Sequence, residues 1–411
     1  SGGGGAGSAA PAAGGDEGGE GISMEELLEM VARTAGEEID ADIPLMEAGL
    51  DSLAAVELRN LLQQVAGSTL LPSTVVFDYP TTRQLAVLVG VGEGGAAAGG
   101  VGAEIVAPRA VGADGELANI QVTGTAILIP SGMRCSDDLL EMSVAGGDAI
   151  GQVPQSRWFV ADDAPLPAHY GGFVSGLELF DNACFSVSAA ESAAMDPQQR
   201  MLLERGYEAL HASSQTKAVL QGMLCGVFVG ISVNEFVQML GIIPAGQSVF
   251  AATGASLSVA SGRLSYNLGL HGPCSSYDTA CSSALICLHA SRRALQLGEC
   301  VSGLAAGVNV MLSPLVMYGF AMAGMTSPNG RSKTFDARAD GYARSEACGA
   351  ASMKEGTDPN LFTTTGGAVR QDGRSASLTA PNGRAQQDLL RGAFADGGRV
   401  PADLTSSEAH G

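Results

Sequence analysis

The short stretch Asp278-Thr-Ala-Cys281-Ser-Ser283 holds the residues best suited to covalent chemistry. An apolar-to-small segment, Pro273 to Ala280, delivers a cysteine to a bend, and a run with helical spacing, Ser282 to Leu297, leaves from it. A thiol at such a junction faces the positive end of a helix dipole and backbone N–H groups that lack helical partners. Both features favour thiolate over thiol and leave donors for an oxyanion, which suits thioester formation. Taken alone, a cysteine can equally be a buried structural residue. Ser52, in Gly49-Leu50-Asp51-Ser52-Leu53, opens a second predicted helix and should be exposed; by itself it reads as an N-cap. His410, in Glu408-Ala-His-Gly411, reads by itself as a surface residue. The eight cysteines show no C-x-x-C pair and no Cys/His cluster at metal spacing, so no metal site is expected.

The elements around these residues fall into two folded regions separated by low-complexity segments. At 411 residues, with 45% hydrophobic residues, the chain can bury a sizeable core. Its net charge of −21 argues against nucleic acid or an anionic membrane as a main partner. Residues 1–21 are Gly/Ala-rich, with no basic or apolar signal-peptide pattern, and are expected to form a flexible linker. The absence of an initial Met suggests a fragment, and the cysteines fit a reducing, cytoplasmic setting.

Residues 22–90 read as a small all-α bundle of three to four helices. Ser23 with Glu26 and Thr81 with Gln84 form capping boxes. Met24, Leu27, Leu28 and Val31 recur on one face of a first helix that Gly36 stops. A second runs from about Ser52 to Ala66, with Leu53, Val56, Leu62 and Val65 inward and Gly67 as its stop; a third ends near Val89. Eleven acidic residues against three basic ones leave this piece at −8, which suits docking onto basic patches of partner proteins. Residues 91–118 form a second Gly/Ala/Val-rich linker able to tether the bundle near the next domain. From about Ile120, apolar strands alternate with helices: Thr125–Ile129, Gly226–Ile231 and Leu304–Val310 are predicted strands. Ser282–Leu297 is predicted as a buried central helix closed by Gly298, with His289 in its interior as a core or capping residue. The pattern implies an α/β sheet covered on both faces. The apolar run Leu304–Met325 could mimic a membrane span, but Asn309, Pro314 and several glycines make it a buried strand, a turn and a short helix.

Residues 22–90 resemble an acyl carrier domain of modular polyketide synthases, carried by Ile39-Asp40, Pro44-Leu45, Glu47-Ala-Gly-Leu-Asp-Ser-Leu53, Val56-Glu-Leu-Arg-Asn60 and Val76-Phe-Asp-Tyr-Pro-Thr81 in order. The resemblance implies that Ser52 carries a 4′-phosphopantetheine arm whose terminal thiol holds acyl thioesters, added by a phosphopantetheinyl transferase. Residues 119–411 resemble the β-ketoacyl synthase domain of the same synthases, through Ala194-Met-Asp-Pro-Gln-Gln-Arg200, Gly226-Val-Phe-Val-Gly-Ile-Ser232, Asp278-Thr-Ala-Cys-Ser-Ser283, Ala306-Gly-Val-Asn309, Ser327-Pro-Asn-Gly-Arg331 and Glu408-Ala-His-Gly411. This implies a thiolase-like layered α/β fold, usually homodimeric, with Cys281 as the acyl-accepting nucleophile and His410 as the first of two catalytic histidines. The family's second histidine and lysine would lie beyond Gly411, so the fragment alone is expected to be inactive. The sequence departs from the family pattern at Ile129-Pro-Ser-Gly-Met-Arg134, at Ala347 in place of a usual Gly, at Arg370 in place of Asn, and in a shorter Lys354–Gln371 stretch.

The chemistry implied by the resemblance is decarboxylative Claisen condensation: transfer of an acyl chain to Cys281, then attack by a malonyl-type unit that has lost CO2. Two alternatives stand beside it. One is a non-elongating module that only holds or passes acyl chains; the other is a fatty acid synthase-type condensing enzyme.

Overall fold

The computed structural model describes residues 23–35, 40–45, 50, 52–65, 71, 75–89, 118–160, 169–356, 361–373, 375 and 380–410, with backbone alone at 35, 52, 53, 56, 77 and 78. The predicted linkers, apart from residue 118, and the helix stops Gly36 and Gly67 lie outside the described residues. The chain divides into two compact units, 1–102 and 103–411.

In the first unit the helices are α1 (Met24–Ala35), α2 (Ser52–Val65), α3 (Val75–Asp78) and α4 (Thr82–Leu88). Both capping boxes form. The Glu26 amide donates to Ser23 Oγ at 3.2 Å while the Ser23 amide donates to Glu26 Oε2 at 2.8 Å, and Thr81 and Gln84 repeat the pattern. Leu27 and Val31 of α1 meet Leu58 and Leu62 of α2 and Leu85 of α4, all fully buried. Each buried aliphatic side chain of this size contributes about 1.5–3 kcal/mol. One detail differs from the sequence reading: Val65, predicted inward, is exposed. The four-residue α3 is the fourth helix of the bundle, too short for an amphipathic repeat to reveal; it buries Val75 and Val76.

The second unit runs β1 (Ile120–Leu128), α5 (Ser136–Val144), β2 (Ile150–Gln152), β3 (Tyr170–Gly172), α6 (Ala189–Ala194), α7 (Pro197–Ala212), α8 (Lys217–Leu220), β4 (Cys225–Gly230), α9 (Phe236–Leu240), α10 (Ala251–Gly254), α11 (Leu257–Leu268) and β5 (Cys274–Tyr277). It continues with α12 (Ser283–Gln296), β6 (Ser302–Asn309), α13 (Pro314–Met322), β7 (Ala347–Glu355), β8 (Phe362–Thr364) and α14 (Gly383–Asp396). Six strands form one sheet in the order β5-β4-β6-β7-β1-β8; β5, β4 and β6 are parallel and the remaining pairs antiparallel. Side chains alternate between its faces. Val227, Val229, Leu304, Ala306 and Val308 meet α7 and α11 on one side, while Phe228 and Ala305 meet α12 on the other. In β1 a register shift between Val122 and Gly124 reverses this alternation, so Ile120 and Val122 face the α12 layer and Ala126 and Leu128 the α7 layer. One strand thereby serves both cores. The three predicted strands are present as β1, β4 and β6; β4 and β6 lie within two residues of the expected ends, while β1 begins five residues earlier than expected.

Helix α12 corrects an expectation. Its buried stripe, Cys287, Ser291, Ala294 and Leu295, lies at helical spacing against the sheet, but Leu285 on another face is 69% exposed. It is a one-sided covering helix, not a helix buried all round. His289 is likewise outside the core: half-buried, its Nδ1 lies close enough to Gly367 that a Cβ there would sit 3.5 Å away. Burial, then Arg293 and Arg292, hold its pKa below the usual value. On the same side Arg292 and Arg293 bind Asp396 of α14, the Arg292 contact being 2.6 Å. Burial opposes the charge on Asp396, but these bonds and the Gly367 N–H outweigh it and bring the carboxyl down to about 2. The run 304–325 resolves into β6, a turn and α13; among the described residues no helix is long and apolar enough to cross a membrane.

Asp196 makes a pH test of the fold. It caps α7 by accepting from the Gln198 amide at 2.8 Å and is 2% exposed; burial raises its pKa to about 6, more than the Gln198 bonds and Arg200 lower it. A raised folded-state value means stability that is full below the unfolded carboxylate range and lost as pH rises through about 6. Urea midpoints should therefore fall between pH 5 and pH 8 by the equivalent of about 1 kcal/mol. Asp196→Asn, which keeps the cap, should flatten that slope.

Candidate active site

The reactive turn is built from its backbone outward. Strand β5 ends at Tyr277; Thr279 lies at φ −129° and Ala280 at φ +52°, in the left-handed region. A non-glycine residue costs about 1 kcal/mol there, so the turn needs support from its surroundings. That support is local. The Ala280 amide donates to Asp278 Oδ1 at 3.0 Å, the Thr279 amide to Ser283 Oγ at 2.8 Å, and Ser283 Oγ to the Ala280 carbonyl at 2.8 Å. Ser282 Oγ donates back to the Thr279 carbonyl at 2.9 Å and makes no cap bond to the N–H groups of α12.

Two glycines let this turn sit where it does. Gly230 of β4 and Gly307 of β6 are register partners beneath the start of α12. A Cβ on Gly230 would lie 2.8 Å from the Ser283 carbonyl carbon, and one on Gly307 2.8 Å from the Ala284 Cβ. The helix start therefore rests directly on the sheet backbone.

Burial separates the thiols. Cys225, Cys287 and Cys348 are pushed up to about 12, and Cys300 to about 11, which makes them inert structural residues. Cys135, Cys274 and Cys281 are exposed, and of these Cys281 lies at the positive end of a 14-residue helix. It lines a cavity of about 1200 Å³ together with His410, Asn309, Phe320 and Arg344. Thus Cys281 and His410, 129 positions apart in sequence, open onto one space.

The cavity wall depends on two carboxylates that sequence reasoning missed. Glu346, fully buried, accepts from the Val174 amide at 2.7 Å, the Met311 amide at 3.0 Å and Arg157 Nη2 at 3.0 Å. Glu235 accepts from the Leu312 and Ser313 amides, both at 2.6 Å; burial raises its pKa despite these bonds. Together they fix residues 311–313, which lead into α13 and so place Phe320, with Arg344 stacked 4.8 Å over its ring. An isolated Glu in a sequence gives no sign of burial, so neither residue could be singled out from sequence.

Ser52 is the first residue of α2, in the other unit, where the backbone alone is described. The first turn of α2 holds no acidic side chain, whereas that of α1 holds Glu25 and Glu26. A phosphodiester on a hydroxyl at that helix start would meet a favourable dipole, so the helix start fits the group.

Gly230→Ala tests the packing of the turn. It should lower stability by about 1–3 kcal/mol and slow Cys281 alkylation at least about tenfold, since the helix start must move. Gly262→Ala in α11, where a Cβ meets nothing within 4 Å, should leave alkylation unchanged. Equal alkylation rates in both variants would show that the glycine contact does not set the turn.

Comparison with known proteins agrees with this geometry. Residues 118–358 match the family model for the β-ketoacyl synthase N-terminal domain, and residues 25–89 that for the phosphopantetheine attachment site. The chain is 37% identical over 414 residues to the pikromycin polyketide synthase component PikAII of Streptomyces venezuelae, covering 95% of this chain and 11% of that protein. It is 40% identical over 390 residues to the mycoketide-CoA synthase of Mycobacterium tuberculosis, covering 91% of this chain and 9% of that one. Among solved structures, the oxazolomycin ketosynthase domain OzmH KS7 of Streptomyces albus is 32% identical with a TM-score of 0.65, covering 70% of this chain and 53% of that one. The ketosynthase from module 6 of the bacillaene synthase of Bacillus subtilis gives a TM-score of 0.64 at 32% identity, covering 70% and 50%. The chain thus spans about a tenth of the length of the curated relatives it matches. With a thiolase-like sheet, an exposed cysteine at a strained strand-to-helix turn and both domain matches in this order, the chain belongs to the β-ketoacyl synthases of modular polyketide synthases, joined to a phosphopantetheine-attachment domain.

Proposed function

We propose that the chain acts in polyketide assembly, with Cys281 as acyl-accepting nucleophile, His410 as a catalytic histidine and Ser52 as the point of phosphopantetheine attachment. The observation that carries this reading is the shared cavity of Cys281 and His410, with Cys281 at the start of α12. The covalent 4′-phosphopantetheine arm supplies a terminal thiol that holds acyl groups as thioesters.

At the second unit, Cys281 Sγ attacks the carbonyl carbon of an acyl thioester. The S–C bond forms, the former thiol leaves with a proton, and the acyl chain rests on Cys281. The N–H groups at the start of α12 face the developing oxyanion. A malonyl-type thioester is the second substrate: loss of CO2 turns its α-carbon into a nucleophile, which attacks the Cys281 thioester and frees the thiolate. His410 donates a hydrogen bond to the enolate oxygen, a role that gains strength where water is excluded. The small residues Gly349 and Ala350 on the floor of the cavity leave room for an acyl chain. The acidic first unit suits a carrier that docks on basic faces of the other synthase domains and of the transferase. Large apolar side chains at the surface of the second unit, Tyr266 at 85% exposure and Leu285 at 69% among them, support pairing of two copies. Eight free thiols suit a reducing cytoplasm.

Incubation of the full chain with coenzyme A and a phosphopantetheinyl transferase should add the arm's mass at Ser52, and Ser52→Ala should prevent it. Radiolabelled acyl thioester should label Cys281, and Cys281→Ala should remain unlabelled. His410→Ala should retain acyl loading but lose about 10²–10³-fold in condensation. Loading of the wild-type chain with no condensation at all would leave the non-elongating role in its place.

A further inference from the structure

Away from the cavity, one cysteine and one lysine stand in contact without a function in condensation. Cys184 lies in the loop before α6, half-buried, and Lys217 is the first residue of α8. Lys217 Nζ is 3.2 Å from Cys184 Sγ and also donates to the Cys184 carbonyl. The faces of Phe185 and Tyr207, with centroids 4.8 Å and 5.3 Å from Nζ, hold the amine in place. Phe185 is fixed in turn by stacking on Phe180 at 5.6 Å and by the edge of Tyr207 at 6.3 Å. The backbone beyond it turns sharply, with Ser186 at φ +54°, and the Cys184 amide donates to Asp181 Oδ1 at 3.0 Å. No carboxylate pairs with Lys217 among the described residues, so its nearest reactive neighbour is the thiol.

We propose that Cys184 and Lys217 are a site of oxidative cross-linking, joined through one oxygen atom. An S···N gap of 3.2 Å is too long for a direct bond but is within a small side-chain adjustment of the span of a single bridging oxygen. The oxidant is dioxygen. Lys217 first gives its third ammonium proton to solvent. The S–H bond and one N–H bond then break, S–O and N–O bonds form, the O–O bond breaks, and the second oxygen atom leaves as water with both hydrogens. Thiol, amine and dioxygen thus become an S–O–N bridge and water, and reversal takes four electrons, supplied by two equivalents of a dithiol. The clasped amine is positioned to bond to the oxygen added at the sulfur before that sulfur advances to an irreversible acid. The bridge would tie the loop before α6 to the segment after α7, the helix that covers one face of the sheet.

The test is peptide mapping of the full chain after exposure to dioxygen. Peptides bearing Cys184 and Lys217 should appear joined, with a gain of one oxygen and a loss of two hydrogens. Alkylation of Cys184 should fall severalfold and return after dithiol treatment, and the oxidised protein should melt at a higher temperature than the reduced. Lys217→Arg, which keeps the cation over the rings, and Cys184→Ser should each abolish the joined peptides. Separate peptides in oxidised wild-type protein, with Cys184 either alkylatable or converted to an unlinked acid, would overturn the proposal, and this wild-type result stands whether or not the variants fold.

Discussion

The close contact between the start of α12 and the glycine pair Gly230–Gly307 is the constraint on which the reactive end of the second unit depends. A helix normally rests on a sheet at the distance set by intervening side chains. Here that spacing vanishes at one point, and the backbone entering the helix is pressed onto two strands. The chain makes the connection from β5 with Ala280 in the left-handed region, and Cys281 follows it exposed, whereas burial raises the pKa of Cys225 and Cys287. Strain, exposure and helix dipole thus have a single geometric origin.

A second layer of control lies beneath the cavity wall. Buried carboxylates are costly unless their oxygens are satisfied. Glu346 meets this condition with two amides and Arg157; Glu235 meets it at one oxygen only, which accepts from two amides, while its Oε1 is buried without a hydrogen-bond partner. Both act on the same stretch, 311–313, so the charges fix a loop that apolar packing alone would leave less defined. Phe320 and Arg344 take their places in the cavity from that anchored loop.

The bundle was largely legible because its signals are local. Ser23 with Glu26 and Thr81 with Gln84 need only a three-residue separation to be recognised, and the Leu27–Val31 spacing marks a buried face without reference to the rest of the chain. The misreadings have equally physical sources. Val65 follows the periodicity of α2 yet is exposed in its last turn, and Leu285 looked buried because apolar character was read without knowing which face the sheet would cover. Strand β7 escaped notice since its small residues, Ala347 to Ser352, carry little strand character and are stabilised by pairing on both sides with β1 and β6.

By itself, the sequence determined which residues are candidates for the chemistry, the helical and strand periodicities, and the acidic character of the bundle, since these are properties of residue type and short-range spacing. Only the tertiary structure decided that Cys281 and His410 share a space, that Gly230 and Gly307 lie under one helix start, that a bulge turns β1 from one core to the other, and that Lys217 reaches Cys184. These are relations between residues tens to more than a hundred positions apart. They are fixed by sheet register and by which layers press together, neither of which a local pattern encodes.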